Sequence, residues 1–309
     1  MSMKKIQFNF MGMRKVTSIV SALLIIFSVF TLSYQGLNLG IDFTGGTLVE
    51  VGYPEAVNLD KLRQSFSDSE FNDVAIQYFG SAKEILIRIP PQQGLNSADV
   101  SSKLLNLLSS NNFSAEMRRV EFVGPQVGEE LREDGGLAML YALLCIMVYI
   151  AFRFQMRFSV GAVSALIHDV IITLGFFSIT RFSFDLTILA ALLAVIGYSL
   201  NDTIVVFDRV RENFRKIRDK TPVEVFNISL NQTLSRTLMT SFTTLLVLMA
   251  LFFLGGEIIH GFSMALIFGV LIGTYSSIYI ASPVTLMLGI KKEDLMPVKK
   301  EGVDLENQP

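Results

Sequence analysis

Six stretches of the chain carry almost nothing but apolar residues: 16–34, 137–152, 159–179, 186–207, 237–255 and 261–288. Roughly 20 such residues wound into a helix cross the ~30 Å hydrocarbon core of a bilayer. Each stretch is therefore predicted to be a membrane-spanning helix. The last is long enough to tilt or bend, and its Gly269 and Gly273 are spaced for close packing on another helix. The first follows Lys4, Lys5, Arg14 and Lys15 and has the outline of a signal peptide. Its apolar run is long enough to span and ends TLSYQGLNLGIDF, with no small-x-small cleavage site, so it is predicted to remain as an uncleaved anchor.

Residues 35–136 form the large polar region, and there the periodicity changes. After a glycine-rich entry, GIDFTGG (40–46), strand-like segments occupy 47–53, 73–79, 84–90 and 117–123. Spacing of three and four predicts helices over 58–66, with Leu59, Leu62 and Phe66 on one face, and over 97–108, with Val100, Leu104, Leu107 and Leu108. The order β-α-β-β-α-β is that of a ferredoxin-like split βαβ unit. The fold class predicted is thus a polytopic α-helical membrane protein with one ferredoxin-like α+β domain between its first and second spans. Nothing in that domain's sequence marks a binding role.

Charge sets the orientation. Arg153 and Arg157 follow the second span, while Arg209, Arg211, Arg215, Lys216, Arg218 and Lys220 follow the fourth, and Lys291 and Lys292 follow the sixth. With the basic start 1–15, these segments are predicted to be cytoplasmic, including a connector at 208–236 and the tail 291–309. Residues 35–136 then lie on the external side of the membrane. Arg181, in a short external loop, is the lone exception. The connector reads as a short interfacial helix, a helix start at Thr221–Pro222 and a second short helix. Over all 309 residues the chain is 51% apolar with no Trp, which ordinary soluble domains do not sustain. Its net charge of −2 gives no reason to expect nucleic acid as a partner. Cys145 is the one cysteine, so there is neither a disulfide framework nor a cysteine metal site. Neither a phosphate-binding P-loop nor HExxH occurs, and no cofactor, metal or hydrolase chemistry is indicated.

Polar residues inside the spans are the candidate chemistry. A carboxylate at membrane depth costs roughly 2.5–3.5 kcal/mol on insertion scales, so Asp202, in IGYSLNDTIVVFD with Asn201 beside it, is a functional candidate. Tyr198 and Ser199 precede Asp202 by four and three residues and share its helical stripe. On the antiparallel fifth span Gln232, Thr233, Arg236, Thr240, Thr243 and Thr244 form another stripe. Arg236 is long enough to reach toward Asp202, which makes an ion pair that forms and breaks with protonation physically reasonable; a static pair, or an arginine among lipid headgroups, is the alternative. Asp208, beside Arg209 and Arg211, reads as a solvated interfacial charge. On the third span His168 and Asp169 lie about 16 Å in from the cytoplasmic edge and could relay protons. Adjacent residues point about 100° apart, however, and a histidine simply bonded to a neighbouring helix fits as well. His260 receives no role.

GIDFTGG, FVGPQVGEEL (122–131), HDVIITLG (168–175), IGYSLNDTIVVFDRVRENFRK (196–216) and LSRTLMTSFTTLL (234–246) together resemble the SecF family of bacterial protein-export membrane proteins. The resemblance runs in register over nearly the whole chain, with no fused SecD half. It implies half of a resistance-nodulation-division transporter, completed by SecD and associated with SecYEG and YajC. Such a subunit uses the proton-motive force to help complete export of unfolded polypeptides after the ATPase SecA has driven them in. It also implies a proton path through Asp202 and Arg236, with Asp169 a further member. Hinges for the external domain are then expected at Gly45, Gly46, Gly124 and Gly128, where ordinary turns serve equally. Two other functions compete: a proton-coupled exporter of small molecules or lipids, and a passive scaffold that stabilises the translocon in contact with membrane lipids.

Overall fold

In the computed structural model the chain is described over residues 8–67, 71, 74–91, 97–110 and 115–290. The tail 291–309 and Lys4 and Lys5 lie outside the described residues, as does the first residue of the strand expected at 73–79. Among the described residues six helices are long and apolar enough to cross a membrane. They are α1 (Arg14–Gln35), α5 (Pro125–Arg153), α6 (Met156–Thr180), α7 (Leu186–Lys216), α8 (Pro222–Leu254) and the composite Ile258–Met287. The last consists of α9 (Glu257–Ser276), a π-helical stretch Ser277–Ala281 and α10 (Ser282–Met287). Pro283 has no N–H to return to the chain behind it, and the wide turn just before it accommodates that missing bond.

Between α1 and α5 lie β1 (Asn38–Leu39), α2 (Ile41–Thr44), β2 (Gly46–Gly52), α3 (Leu59–Ser67), β3 (Ala75–Phe79), β4 (Ser81–Ile89), α4 (Ser97–Ser110) and β5 (Glu116–Val123). The sheet order β3-β4-β2-β5, antiparallel throughout, is the ferredoxin-like arrangement the element order predicts. Alternation decides its faces. Val49, Val51, Ile85, Ile87 and Ile89 are buried beneath Leu62, Phe66, Leu104 and Leu108 of the two helices. The residues between them, Leu48, Glu50, Leu86 and Arg88, line a cavity of about 270 Å³ with Asp185, Thr187 and Ile188 at the start of α7. The sheet thus lies against one end of the helical bundle, the domain end; the other is the far end.

Two helices run on past the expected membrane exits. Instead of ending near 207, α7 continues to Lys216, and α8 starts at Pro222, so the connector is a helical hairpin rather than separate short helices. The charges that suggested an exit sit on one helical face, where Glu212 accepts from Arg209 at 2.8 Å and from Lys216 at 2.6 Å. The opposite face is apolar, and Phe214 meets Phe226 of α8 edge-on. The Thr221–Pro222 start has a full capping box: Thr221 N donates to Glu224 Oε2 at 2.8 Å and Glu224 N to Thr221 Oγ1 at 3.4 Å. At its other end the bundle gains a helix extension too, because α5 begins at Pro125, twelve residues before 137.

The glycines around the domain form a packed joint. Gly45 has φ +70°, and a Cβ there would come within 2.7 Å of Pro125 Cα; one at Gly128 would lie 2.7 Å from Gly45 N. Gly46 likewise presses on the Ile89 carbonyl, whereas Gly124, the N-cap of α5, has open space around it. Arg181, the exception to the charge rule, closes the end of α1: its Nη1 donates to the Gln35 and Gly36 carbonyls at 2.9 and 3.1 Å.

Candidate functional site

Helices α6, α7 and α9 form the interior of the bundle, and glycine decides how closely they meet. A Cβ on Gly273 would lie 2.9 Å from Ser199 Cβ, and one on Gly269 would overlap Val195. The backbone of α9 therefore rests on α7, as small residues one turn apart allow. This approach brings three helices to one carboxylate. Asp169 of α6, 1% exposed, accepts the Ser199 hydroxyl of α7 at 2.6 Å and the Ser276 hydroxyl of α9 at 2.7 Å, both on Oδ2. His168 Nδ1 is 2.9 Å from Asp169 Oδ1. Although neighbours in a helix diverge, the imidazole folds back onto the next carboxylate, so His168 and Asp169 belong to one cluster.

With the proton on Nδ1, His168 donates to Asp169, and its buried Nε2 has no partner among the described residues. The His168 ring lies 6.1 Å from that of Tyr275. Tyr275 in turn donates its hydroxyl to the Thr17 carbonyl at 3.1 Å and sits 2.9 Å from Ser21 Oγ, linking α1 to the cluster. Sequence reasoning missed Ser276 and Tyr275. Serines and tyrosines in an apolar run look neutral, and only the partner across the interface gives them a role.

Asp202 lies on α7 three residues beyond Ser199, about 4.5 Å along the axis. It is 2% exposed, and its Oδ2 has no partner among the described residues; the buried hydroxyls of Tyr198, Thr203 and Thr237 are in the same condition. A buried polar atom without a partner costs on the order of 1–3 kcal/mol, more when charged. A bound proton or water relieves that cost. Asn201 and Arg236 both line a cleft of about 810 Å³ at the far end, with Asp208, Glu212 and several arginines. No ion pair within 4.0 Å joins Asp202 to Arg236 among the described residues. The Thr240 and Thr243 hydroxyls return to carbonyls of their own helix, leaving Arg236 as the charged group of that stripe. Asp208 pairs loosely with Arg153, at 3.5 Å.

At the domain end Arg88 is half-buried, and burial lowers its pKa against the opposing pull of Asp185 and Asp42. Among the described residues no cluster of His, Cys, Asp and Glu could hold a metal ion.

Six spans, an α+β domain at one end and two buried carboxylates along the interior helices define a polytopic membrane protein of the transporter class. The profile "Protein export membrane protein SecD/SecF, C-terminal" matches residues 103–291, and the SecD/SecF GG motif matches 35–53. A protein translocase subunit SecF of Vibrio alginolyticus is 52% identical over 97% of this chain and 96% of its own length. The SecF subunit of Escherichia coli O157:H7 is 48% identical over 92% of this chain and 90% of its own. The crystal structure of SecDF from Thermus thermophilus, described as a translocon-associated membrane protein, superposes with a TM-score of 0.85 at 38% identity, over 93% of this chain and 39% of that one. The chain belongs to the SecF family of protein translocase subunits.

Proposed function

We propose that this translocase subunit uses the proton-motive force, together with a SecD half, to promote late steps of polypeptide export through SecYEG, with YajC alongside and after SecA has acted. The observation that carries the reading is Asp202, a buried carboxylate with an oxygen that has no partner among the described residues, next in the chain to Asn201 of a cleft that Arg236 also lines. In the unit proposed, protons pass between this cleft and Asp202. Asp169 with His168 forms a second station, one turn away through Ser199. Protonation removes the charge on Asp202, weakens its attraction to Arg236 and lets α7 and α8 repack. One charge crossing 100 mV releases about 2.3 kcal/mol, enough to bias a two-state equilibrium more than tenfold.

The far end, with its basic residues, is assigned to the cytoplasm together with both chain termini, and the α+β domain to the periplasmic or external side of the inner membrane. The domain meets the emerging polypeptide, and the Gly45–Gly128 joint and Gly124 are where its attachment to α5 yields. The share of the SecDF structure that this chain leaves uncovered supports SecD as the missing half. The test is proton movement. Vesicles holding the complex and a pH-sensitive dye should show Asp202-dependent flux, lost in Asp202→Asn and reduced in Arg236→Ala; equal flux in all three contradicts the path.

A further inference from the structure

Among the described residues, two polar or close-packed junctions tie the α+β domain to the bundle. One is the glycine joint with α5. The other is a polar junction with the start of α7, the helix that carries Asp202. Its centre is Arg88, which projects from β4 on the sheet face away from the domain core. Nη1 donates to the Leu39 carbonyl at 2.8 Å and to Asn38 Oδ1 at 3.4 Å, and Nη2 donates to Ser183 Oγ. These acceptors belong to a two-residue parallel bridge in which β1 pairs with β6 (Ser183–Phe184), just before α7.

Asp42 of the GIDFTGG segment completes the junction. Its Oδ2 accepts the N–H of Leu186, the first residue of α7, at 2.9 Å. Gly40 N donates to the Phe184 carbonyl at 2.7 Å. The N-cap Asp185 accepts from Ile188 N at 2.9 Å and lies, like Asp42, close enough to attract the guanidinium. From this clamped end α7 is helical without a break for 31 residues, and Asp202 lies sixteen residues in, about 24 Å along the axis.

We infer that Arg88, with Asp42, is a positioning residue that binds the external domain to the outer end of α7, so that displacement of the Asp202 helix is passed directly to the domain. Through the glycine joint alone, the domain would follow α5. Through Arg88 it follows the helix on which protonation acts. Only a fork-shaped cation reaches the Leu39 carbonyl and the Ser183 hydroxyl at once, so lysine replaces it only in part. The functional part of this inference rests on the proton-driven reading above; the mechanical part stands on the contacts alone.

The test uses the full chain with its partner subunits, in wild type, Arg88→Ala, Arg88→Lys and Asp42→Asn. Proton flux, gradient-driven export and co-purification of partners are measured on each. In parallel, Cys145→Ser removes the exposed native thiol, and spin labels at Lys61→Cys and Thr187→Cys report the domain-to-α7 distance. The expected result is flux and assembly within twofold of wild type, export reduced at least fivefold in Arg88→Ala and only partly restored by lysine, and a broadened distance distribution. Unchanged export with a narrow distribution overturns the inference. A parallel fall of flux, export and assembly also overturns it, because it shows a general structural role. If wild type itself moves no protons, the proton-driven reading fails, and the distance distribution alone decides whether Arg88 holds domain and helix together.

Discussion

Asp169 of α6 and Ser199 of α7 share a 2.6 Å hydrogen bond in the bundle interior, and Ser276 of α9 donates to the same carboxylate oxygen at 2.7 Å. Bonds to a charged acceptor contribute about 1.5–3 kcal/mol in soluble proteins. Interhelical bonds in membranes average nearer 0.6 kcal/mol, because the separated helices also find partners. A buried carboxyl oxygen shared by two hydroxyl donors belongs between these, so Ser199→Ala and Ser276→Ala should each cost about 1–2 kcal/mol. Because both donors serve one oxygen, the double variant should lose more than the sum of the two. A double-mutant cycle on unfolding in detergent checks this, and strict additivity would count against a shared acceptor.

Two glycines on facing helices should behave oppositely. Gly273→Leu drives a side chain into Ser199 and should destabilise the α7–α9 contact by about 1–3 kcal/mol. Gly197 on α7 faces open space, so Gly197→Ala should be neutral or stabilise by about 0.4–1 kcal/mol. Thermal unfolding of the two variants separates close approach from glycine flexibility.

The start of α8 should be pH-sensitive. Hydrogen bonds from the Thr221 backbone and side chain lower the Glu224 pKa, so its contribution is fully present above the ordinary glutamate value near pH 4.3 and disappears as pH falls through the lowered one. The protection of the first turn of α8, taken relative to the intrinsic exchange rate at each pH, should therefore fall in acid. Thr221→Ala should weaken the cap by about 0.5–2 kcal/mol at neutral pH and flatten that acid dependence.

Tyr53, at the end of β2, is 7% exposed, and burial raises its pKa to about 12. An unfolded tyrosine ionises near pH 10. Its contribution to domain stability is therefore complete below pH 10 and is lost as pH rises from about 10 to 12. In Tyr53→Phe that alkaline loss should be smaller, as measured by denaturant unfolding across the same window.

Long-range periodicity made the six spans and the β-α-β-β-α-β order legible, because burial in lipid and alternation on a sheet leave strong signatures over many residues. The cost of burying charge likewise singled out Asp169 and Asp202. What stayed hidden depends on contacts between distant segments. The β1–β6 bridge joins two-residue strands, too short for any alternation to register. In EILIRIP, Arg88 reads simply as an outward-facing strand position, and its partners lie 49 and 95 residues away. Basic residues near 209–216 predict the end of the helix as well as of the span, whereas the helix runs on to Lys216 because Val210 and Phe214 give that stretch a buried apolar face. Asp42 belongs to GIDFTGG, yet its acceptor role appears only once Leu186 is beside it.

The central claim is that Asp202 couples a proton gradient to export. The most direct measurement follows a secreted chain in inverted vesicles that contain the subunit and its partners. SecA and ATP first advance the chain, ATP is then removed, and a proton gradient is imposed on wild type and Asp202→Asn. The account predicts that wild type completes translocation while Asp202→Asn, with its partner subunits still co-purifying, slows at least tenfold. Completion at the wild-type rate by the intact Asp202→Asn complex would contradict it and leave the subunit a scaffold.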